Sequence, residues 1–110
     1  IRIGTSELQS SRIAYGCMRI VGDGSAADRK KGKQAVRTAL DEGYNHFDHA
    51  DIYGAGECEM LFSEVLKEDA SIRDSIIITS KCSIIGRDNP NPGDPARYDF
   101  SREYILSSVD

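Results

Sequence analysis

The densest group of reactive side chains lies in one short run, His46-Phe47-Asp48-His49-Ala50-Asp51-Ile52-Tyr53-Gly54. Two carboxylates, two imidazoles and a phenol stand there ahead of a glycine. Lys81 closes the next apolar run, between Ser80 and Cys82. An aspartate beside a lysine would hold the ammonium in place. The ammonium would favour a nearby tyrosinate over tyrosine and lower the phenol pKa from its reference of about 10. A phenol tuned in this way can donate a proton to a carbonyl oxygen.

Each residue also has a plainer reading. Asp48 could cap a turn or the next helix, Tyr53 could be an ordinary loop tyrosine, and Lys81 could be a surface lysine. Asp51 reads as a structural turn residue. On a strand His46 shares the parity of Asp48, which makes it an interior histidine with satisfied ring nitrogens. His46, Asp48, His49 and Asp51 can also be read as metal ligands. Period-2 alternation sends residues 46 and 48 to one side and 49 and 51 to the other, so a regular strand forms no compact ligand cluster.

The elements that must position these groups follow from local pattern. Ile1–Ile3 and part of Glu7–Arg12 read as a small hairpin. Ile13-Ala14-Tyr15-Gly16 reads as a first buried strand, followed by a loop containing Gly22-Asp23-Gly24. Ser25 can cap a helix that runs to about Glu42, with Val36, Ala39 and Leu40 at helical spacing and Gly43 as the stop. Gly32 inside that helix costs about 1 kcal/mol relative to Ala, which weakens its first half. Tyr44–Ala50 reads as a second strand and Gly54-Ala55-Gly56 as a turn. In the helix predicted from Glu57 to about Glu68, Cys58, Leu61, Phe62, Val65 and Leu66 form an amphipathic stripe. Asp74-Ser75 then precedes a third strand, Ile76–Cys82, whose unalternated start suits a parallel strand covered on both faces. Ser83–Phe100 holds all 3 prolines and reads as a long loop. Ser101 opens a further helix with Tyr104, Ile105 and Val109 periodic. Tyr98 and Phe100 either line a substrate pocket or staple the loop to that helix.

Alternation of strands and helices predicts an α/β fold with parallel strands and right-handed crossovers. Neighbouring strands about 4.8 Å apart would let Asp48 and Lys81 meet at the C-terminal rim, where barrel enzymes place catalytic groups. The first strand leads into Gly16-Cys17-Met18-Arg19, which lacks the G-x-G-x-x-G of a dinucleotide-binding start. A (β/α)8 barrel takes about 250 residues, so this 110-residue chain reads as part of one.

Composition narrows the class. The formal net charge of -4 supplies no basic footprint for nucleic acid. The one basic cluster, Arg29-Lys30-Lys31 with Lys33, reads as the solvated face of a helix, with an anion contact as the lesser reading. No stretch approaches the roughly 18 apolar residues of a membrane span, and no signal peptide is visible, although the sequence opens on Ile1 rather than Met. The 3 cysteines, Cys17, Cys58 and Cys82, match no disulfide framework or zinc spacing and read as packing thiols of a cytoplasmic protein.

Three segments together resemble the aldo-keto reductase superfamily, and within it the bacterial YdhF-type oxidoreductase branch. They are Arg12–Arg19, the run Gly43–Gly54 with Glu57 and Glu59 after it, and Ile78-Thr79-Ser80-Lys81-Cys82. The likeness spans essentially the whole chain, and the Asp-x4-Tyr spacing with a downstream Lys is its most specific part. It implies an α/β fold comprising about three β/α units of a (β/α)8 TIM barrel, preceded by a short hairpin. Residues 1–110 would be the N-terminal portion of one barrel domain, truncated after the start of the helix that follows the third strand.

The resemblance implies NADPH-dependent reduction of aldehydes or ketones. Tyr53 would donate the proton, Lys81 would lower its pKa, and Asp48 would pair with Lys81. Gly16, Cys17, Met18 and Arg19, with Asp48 and Tyr53, would lie at the nicotinamide and its ribose. The family's fourth catalytic residue, a histidine, and its adenosine-phosphate site would lie beyond Asp110. Partners would be small-molecule carbonyl compounds, with no nucleic acid or membrane. His49 replaces a small or hydroxyl residue and Met18 an aromatic, so both could alter the pocket wall. A cofactor-binding regulatory barrel such as a channel β subunit, an inactive fragment, and a Schiff-base role for Lys81 remain as alternatives.

Overall fold

The computed structural model describes residues 1–109 as two compact units, Ile1–Ser80 and a second that starts at Lys81. The expected domain limit at Asp110 lies outside the described residues. In the first unit, strands β1 (Tyr15–Gly16), β2 (His46–Asp48) and β3 (Ile77–Thr79) form a parallel sheet in the order β1-β2-β3. Helices α1 (Ala26–Asp41), α2 (Glu57–Glu68) and the single-turn α3 (Ile72–Ser75) connect them. An isolated antiparallel bridge, Arg2 to Gln9, marks the expected N-terminal hairpin.

Local chemistry accounts for the helix limits. Ser25 caps α1 by accepting from the Asp28 N–H at 3.2 Å. At the other end Tyr44 N–H bonds Ala39 O at 2.9 Å and Gly43 N–H bonds Leu40 O at 3.0 Å. That is a Schellman closure, and it needs the left-handed φ of +86° that Gly43 adopts. The stripe on α2 is buried as expected: Cys58, Leu61, Phe62 and Val65 join Val36 and Ala39 of α1 and Phe47 of β2 in one core. Phe47 and Phe62 pack with ring centroids 5.0 Å apart.

Gly32 is a correction. Far from weakening α1, it lets the helix touch the preceding loop. A Cβ there would lie 1.8 Å from Ile20 O and 3.3 Å from Leu61 Cδ1. In the basic cluster Lys30 and Lys31 stay on the solvated face as expected, whereas Arg29 and Lys33 turn to α2. Arg29 donates to Glu57 (2.8 Å) and Glu64 (2.7 Å), Lys33 reaches Glu64 (2.6 Å), and Arg37 pairs with Glu68. Arg29, Lys33 and Arg37, spaced four residues apart, thus form an ion-pair ladder from α1 to α2. Hydrogen bonds from Lys33 and then Arg29 hold the Glu64 carboxyl below its ordinary range, and Arg37 does the same for Glu68.

The strands are shorter than expected. Ile13 is 65% exposed and lies outside β1, because β1 is an edge of the sheet and only two of its residues pair with β2. β3 is half exposed in this chain rather than covered on both faces. Asp74 and Ser75, which precede the third strand as expected, belong to the single-turn α3.

In the second unit, the segment read as loop forms an antiparallel hairpin, β4 (Ile84–Ile85) with β5 (Arg97–Tyr98). Helix α4 (Arg102–Val109) follows. The hairpin tip is folded by Asp88 and Asp94: Gly93 N–H donates to Asp88 Oδ1 at 2.7 Å and Asn91 N–H to Asp94 Oδ2 at 3.1 Å. Two-residue strands with no alternating pattern leave nothing for periodicity to detect. Tyr98 and Phe100 stack on each other with planes 2° apart and stay largely exposed. No helix among the described residues is long and apolar enough to cross a membrane.

Candidate active site

The C-terminal ends of the three parallel strands stand level. Gly16 pairs with Asp48 and Asp48 with Thr79, so one rung crosses the sheet at its rim. The chain stays tied just beyond the rung: Cys17 N–H donates to Asp48 O at 2.9 Å and His49 N–H to Thr79 O at 2.7 Å. Parallel pairing is therefore what puts Asp48 at the sheet's C-terminal rim beside the β1–α1 loop.

Alternation along β2 separates the motif's side chains as expected. Phe47 and His49 turn toward α2, where the His49 ring packs against Phe62 at 4.7 Å and is buried. His49 therefore belongs to the sheet–helix core rather than to a pocket wall. His46 and Asp48 share the opposite face. Both ring nitrogens of His46 are engaged, Nδ1 3.1 Å from Ser10 Oγ and Nε2 2.8 Å from Thr79 Oγ1. Its ring nitrogens are thus satisfied as expected, on a residue that is half-buried rather than interior.

Tyr53 opens the turn after β2. Its N–H donates to Ala50 O at 3.0 Å, and its half-buried side chain packs against the core. The next three residues, Gly54, Ala55 and Gly56, take positive φ values of 58°, 53° and 92°. Gly54 also approaches Val21 Cγ1, which a Cβ would meet at 3.0 Å. Ala55 holds a conformation that costs an L-residue about 1–2 kcal/mol. Such a local cost points to a turn whose direction is fixed by what surrounds it.

The β1–α1 loop carries the other expected contacts. Gly16 is exposed, and a Cβ on it would meet nothing within 4 Å. Met18 is 52% exposed and Arg19 is exposed. The Cys17 thiol is fully buried in the core, so only the backbone of that residue faces the rim. Burial, then Cys17 and Tyr44, raise the Tyr15 phenol above its ordinary pKa and keep it neutral. Lys81 lies two residues past Thr79, exposed, and opens the second unit. The structure thus brings Gly16, Cys17 and Asp48 together through strand pairing, with Tyr53 on the turn that follows.

Two residues given no role in the sequence analysis beyond the resemblance tie distant segments together, one at each end of the sheet. Asn45 anchors the N-terminal hairpin: Ser11 N–H donates to its Oδ1 at 2.6 Å, and its Nδ2 donates to Gln9 O at 2.8 Å. Glu59 accepts from Ser80 Oγ at 2.5 Å. These partners stand 21 to 36 residues away along the chain and carry no local signal.

Comparison with known proteins gives this arrangement a family. A profile described as the aldo/keto reductase family matches residues 12–110. The uncharacterized oxidoreductase YcsN of Bacillus subtilis is 32% identical over 94% of this chain and 34% of its own length. The oxidoreductase YdhF of Escherichia coli is 34% identical over 100% of this chain and 36% of its own length. Aldo-keto reductase AKR11C1 from Bacillus halodurans, solved in a holo form, superposes with a TM-score of 0.79 at 28% identity. That match covers 99% of this chain and 33% of the solved one. The chain therefore spans about a third of the length of the relatives it matches. Its three parallel β/α units correspond to part of a (β/α)8 barrel. On the profile match, which takes in the rim, the Tyr53 turn and Lys81, the chain belongs to the aldo/keto reductase family.

Proposed function

We propose that this chain is the N-terminal portion of a single aldo-keto reductase barrel, and that the parent protein reduces aldehydes and ketones to alcohols with NADPH in the cytoplasm. The observation that carries the reading is the level rung Gly16–Asp48–Thr79, with Tyr53 on the turn just past it. Open backbone at Gly16, exposed Met18 and Arg19, and the Asp48 carboxylate at the same rim suit a flat nicotinamide and its ribose. When bound, the nicotinamide supplies the hydride. Tyr53 donates the phenolic proton to the carbonyl oxygen as negative charge develops there. Lys81 stabilises the tyrosinate left behind, and Asp48 holds the Lys81 ammonium by charge pairing. Gly16 and the backbone of Cys17, with the Met18 and Arg19 side chains, hold the cofactor against the rim.

The test is Tyr53→Phe in the full-length parent, where carbonyl reduction should fall about 10²- to 10⁴-fold while NADPH binding, read by fluorescence titration, stays intact. Near-normal turnover would refute the assignment. A regulatory barrel that keeps its cofactor without turnover would instead show binding and no reduction in the unmodified protein.

A further inference from the structure

β3 leaves the sheet through two residues whose side chains, by strand parity, face opposite ways, and each is held by a distant side chain. On one face Thr79 Oγ1 lies 2.8 Å from His46 Nε2. On the other, Ser80 Oγ donates to Glu59 Oε1 on α2 at 2.5 Å. The polarity of the first contact can be assigned. Ser10 Oγ spends its single proton on Ser11 O at 2.8 Å, so toward His46 Nδ1, at 3.1 Å, it accepts. Nδ1 therefore carries the proton in neutral His46, and Nε2 accepts from the Thr79 hydroxyl. The backbone at this level is fixed as well, with His49 N–H on Thr79 O and Asp48 opposite Thr79.

We propose that His46 and Glu59 are positioning residues that clamp the exit of β3 from its two faces and so fix the point from which Lys81 leaves the sheet. The proposal rests on the reading of Lys81 given above. A lysine has four rotatable side-chain bonds, so an error in its starting backbone is carried to the ammonium. Misplacement of about 1 Å at a reacting group costs up to about 10²-fold in rate. Both clamp bonds are solvent-accessible in this chain. Exposed polar contacts of this kind add little to folding, so the effect of the clamp is expected on geometry rather than on stability. The arrangement also accounts for Glu59, a carboxylate in the first turn of α2, and for Ser10 of the N-terminal hairpin. Ser10 sets which ring nitrogen of neutral His46 carries the hydrogen and so leaves Nε2 to receive Thr79.

The experiment uses the full-length parent with Thr79→Val and Ser80→Ala, singly and combined. Thr79→Ser and Ser80→Thr, which keep each hydroxyl, serve as restoring variants. The double variant should lose about tenfold in kcat, while carbonyl KM, NADPH affinity and melting temperature hold. The hydroxyl-retaining variants should keep kcat near that of the unmodified protein. An unchanged kcat in the double variant overturns the clamp. So does a loss that tracks the melting temperature or appears equally in Thr79→Ser. Tyr53→Phe run in parallel separates the two claims. If it retains turnover, the active-site reading itself fails. If it abolishes turnover and the double variant does not reduce it, only the clamp fails.

Discussion

Gly32→Ala sets two rules against each other, and the structure decides between them. Helix propensity alone favours alanine inside α1 by about 1 kcal/mol. The close crossing of α1 over the preceding loop opposes it. A Cβ at residue 32 would stand 1.8 Å from Ile20 O and 2.9 Å from Ile20 C, against a floor of 3.0 Å for real Cβ contacts. The obstacle is backbone, so no rotamer change relieves it, and either α1 or the loop must retreat by more than an ångström. Retreat would loosen the contact with Leu61, which lies 3.3 Å from the same point and is fully buried. Overpacking of this type costs about 1–3 kcal/mol, and more where the neighbour is rigid. Subtracting the propensity gain leaves about 0–2 kcal/mol of net destabilisation, at the upper end here because the obstacle is backbone. Urea unfolding of the intact protein, followed by far-UV circular dichroism, should give a lower midpoint at unchanged slope. An equal or higher midpoint would refute the close-approach argument and return Gly32 to the role of an ordinary helix weak point.

Two further outcomes test other parts of the fold. Gly43→Ala should cost about 1 kcal/mol in the same assay, because the Schellman closure of α1 needs the φ of +86°; an unchanged midpoint would mean that the turn re-forms without it. The ladder between α1 and α2 sets an acid limit. Glu64 and Glu68 have folded-state pKa values below the ordinary 4.5, so their stabilisation is complete above that pH and is lost as the pH falls through the lowered values. Their partner Lys33 is raised above 10.5, so its contribution persists until strongly alkaline pH. Thermal melts should therefore decline below about pH 4.5 less steeply for Glu64→Gln than for the unmodified protein. A parallel decline would show that the ladder contributes nothing.

The parts of the structure written locally in the sequence were readable from it. Helices announce themselves through caps and stripes, and Ser25, Gly43 and the Cys58–Leu66 stripe behave as their spacing predicts. The placement of Asp48 at a strand end with Tyr53 on the following turn is likewise local, since it depends on period 2 and one glycine-rich turn. What escaped was non-local. Nothing near Gly32 in the sequence announces the Ile20 carbonyl, and nothing near Arg29 announces Glu57 or Glu64. The β4–β5 hairpin escaped for a different reason: strands of two residues lie below the length at which alternation can be seen, and prolines argue against strand in general. His49 shows how a family comparison can mislead on direction. A residue that departs from the pattern beside a catalytic aspartate suggests a changed pocket, yet parity sends it to the other face of the strand, against Phe62.

That parity explains why so much of the candidate site is packed into five consecutive residues. Asn45 ties down the N-terminal hairpin, and His46 reaches Ser10 and Thr79. Phe47 fills the core against Tyr15 and Phe62, at 5.8 and 5.0 Å. Asp48 stands at the rim, and His49 returns to the core while its N–H reaches across to Thr79 O. Because successive side chains alternate between faces, the same strand can be anchored firmly through 47 and 49 while presenting 46 and 48 to the other side. Anchoring through its neighbours helps hold a polar residue such as Asp48 in position at the rim. Substitutions at Phe47 and His49 should accordingly report on folding, whereas substitutions at His46 and Asp48 should report on geometry at the rim.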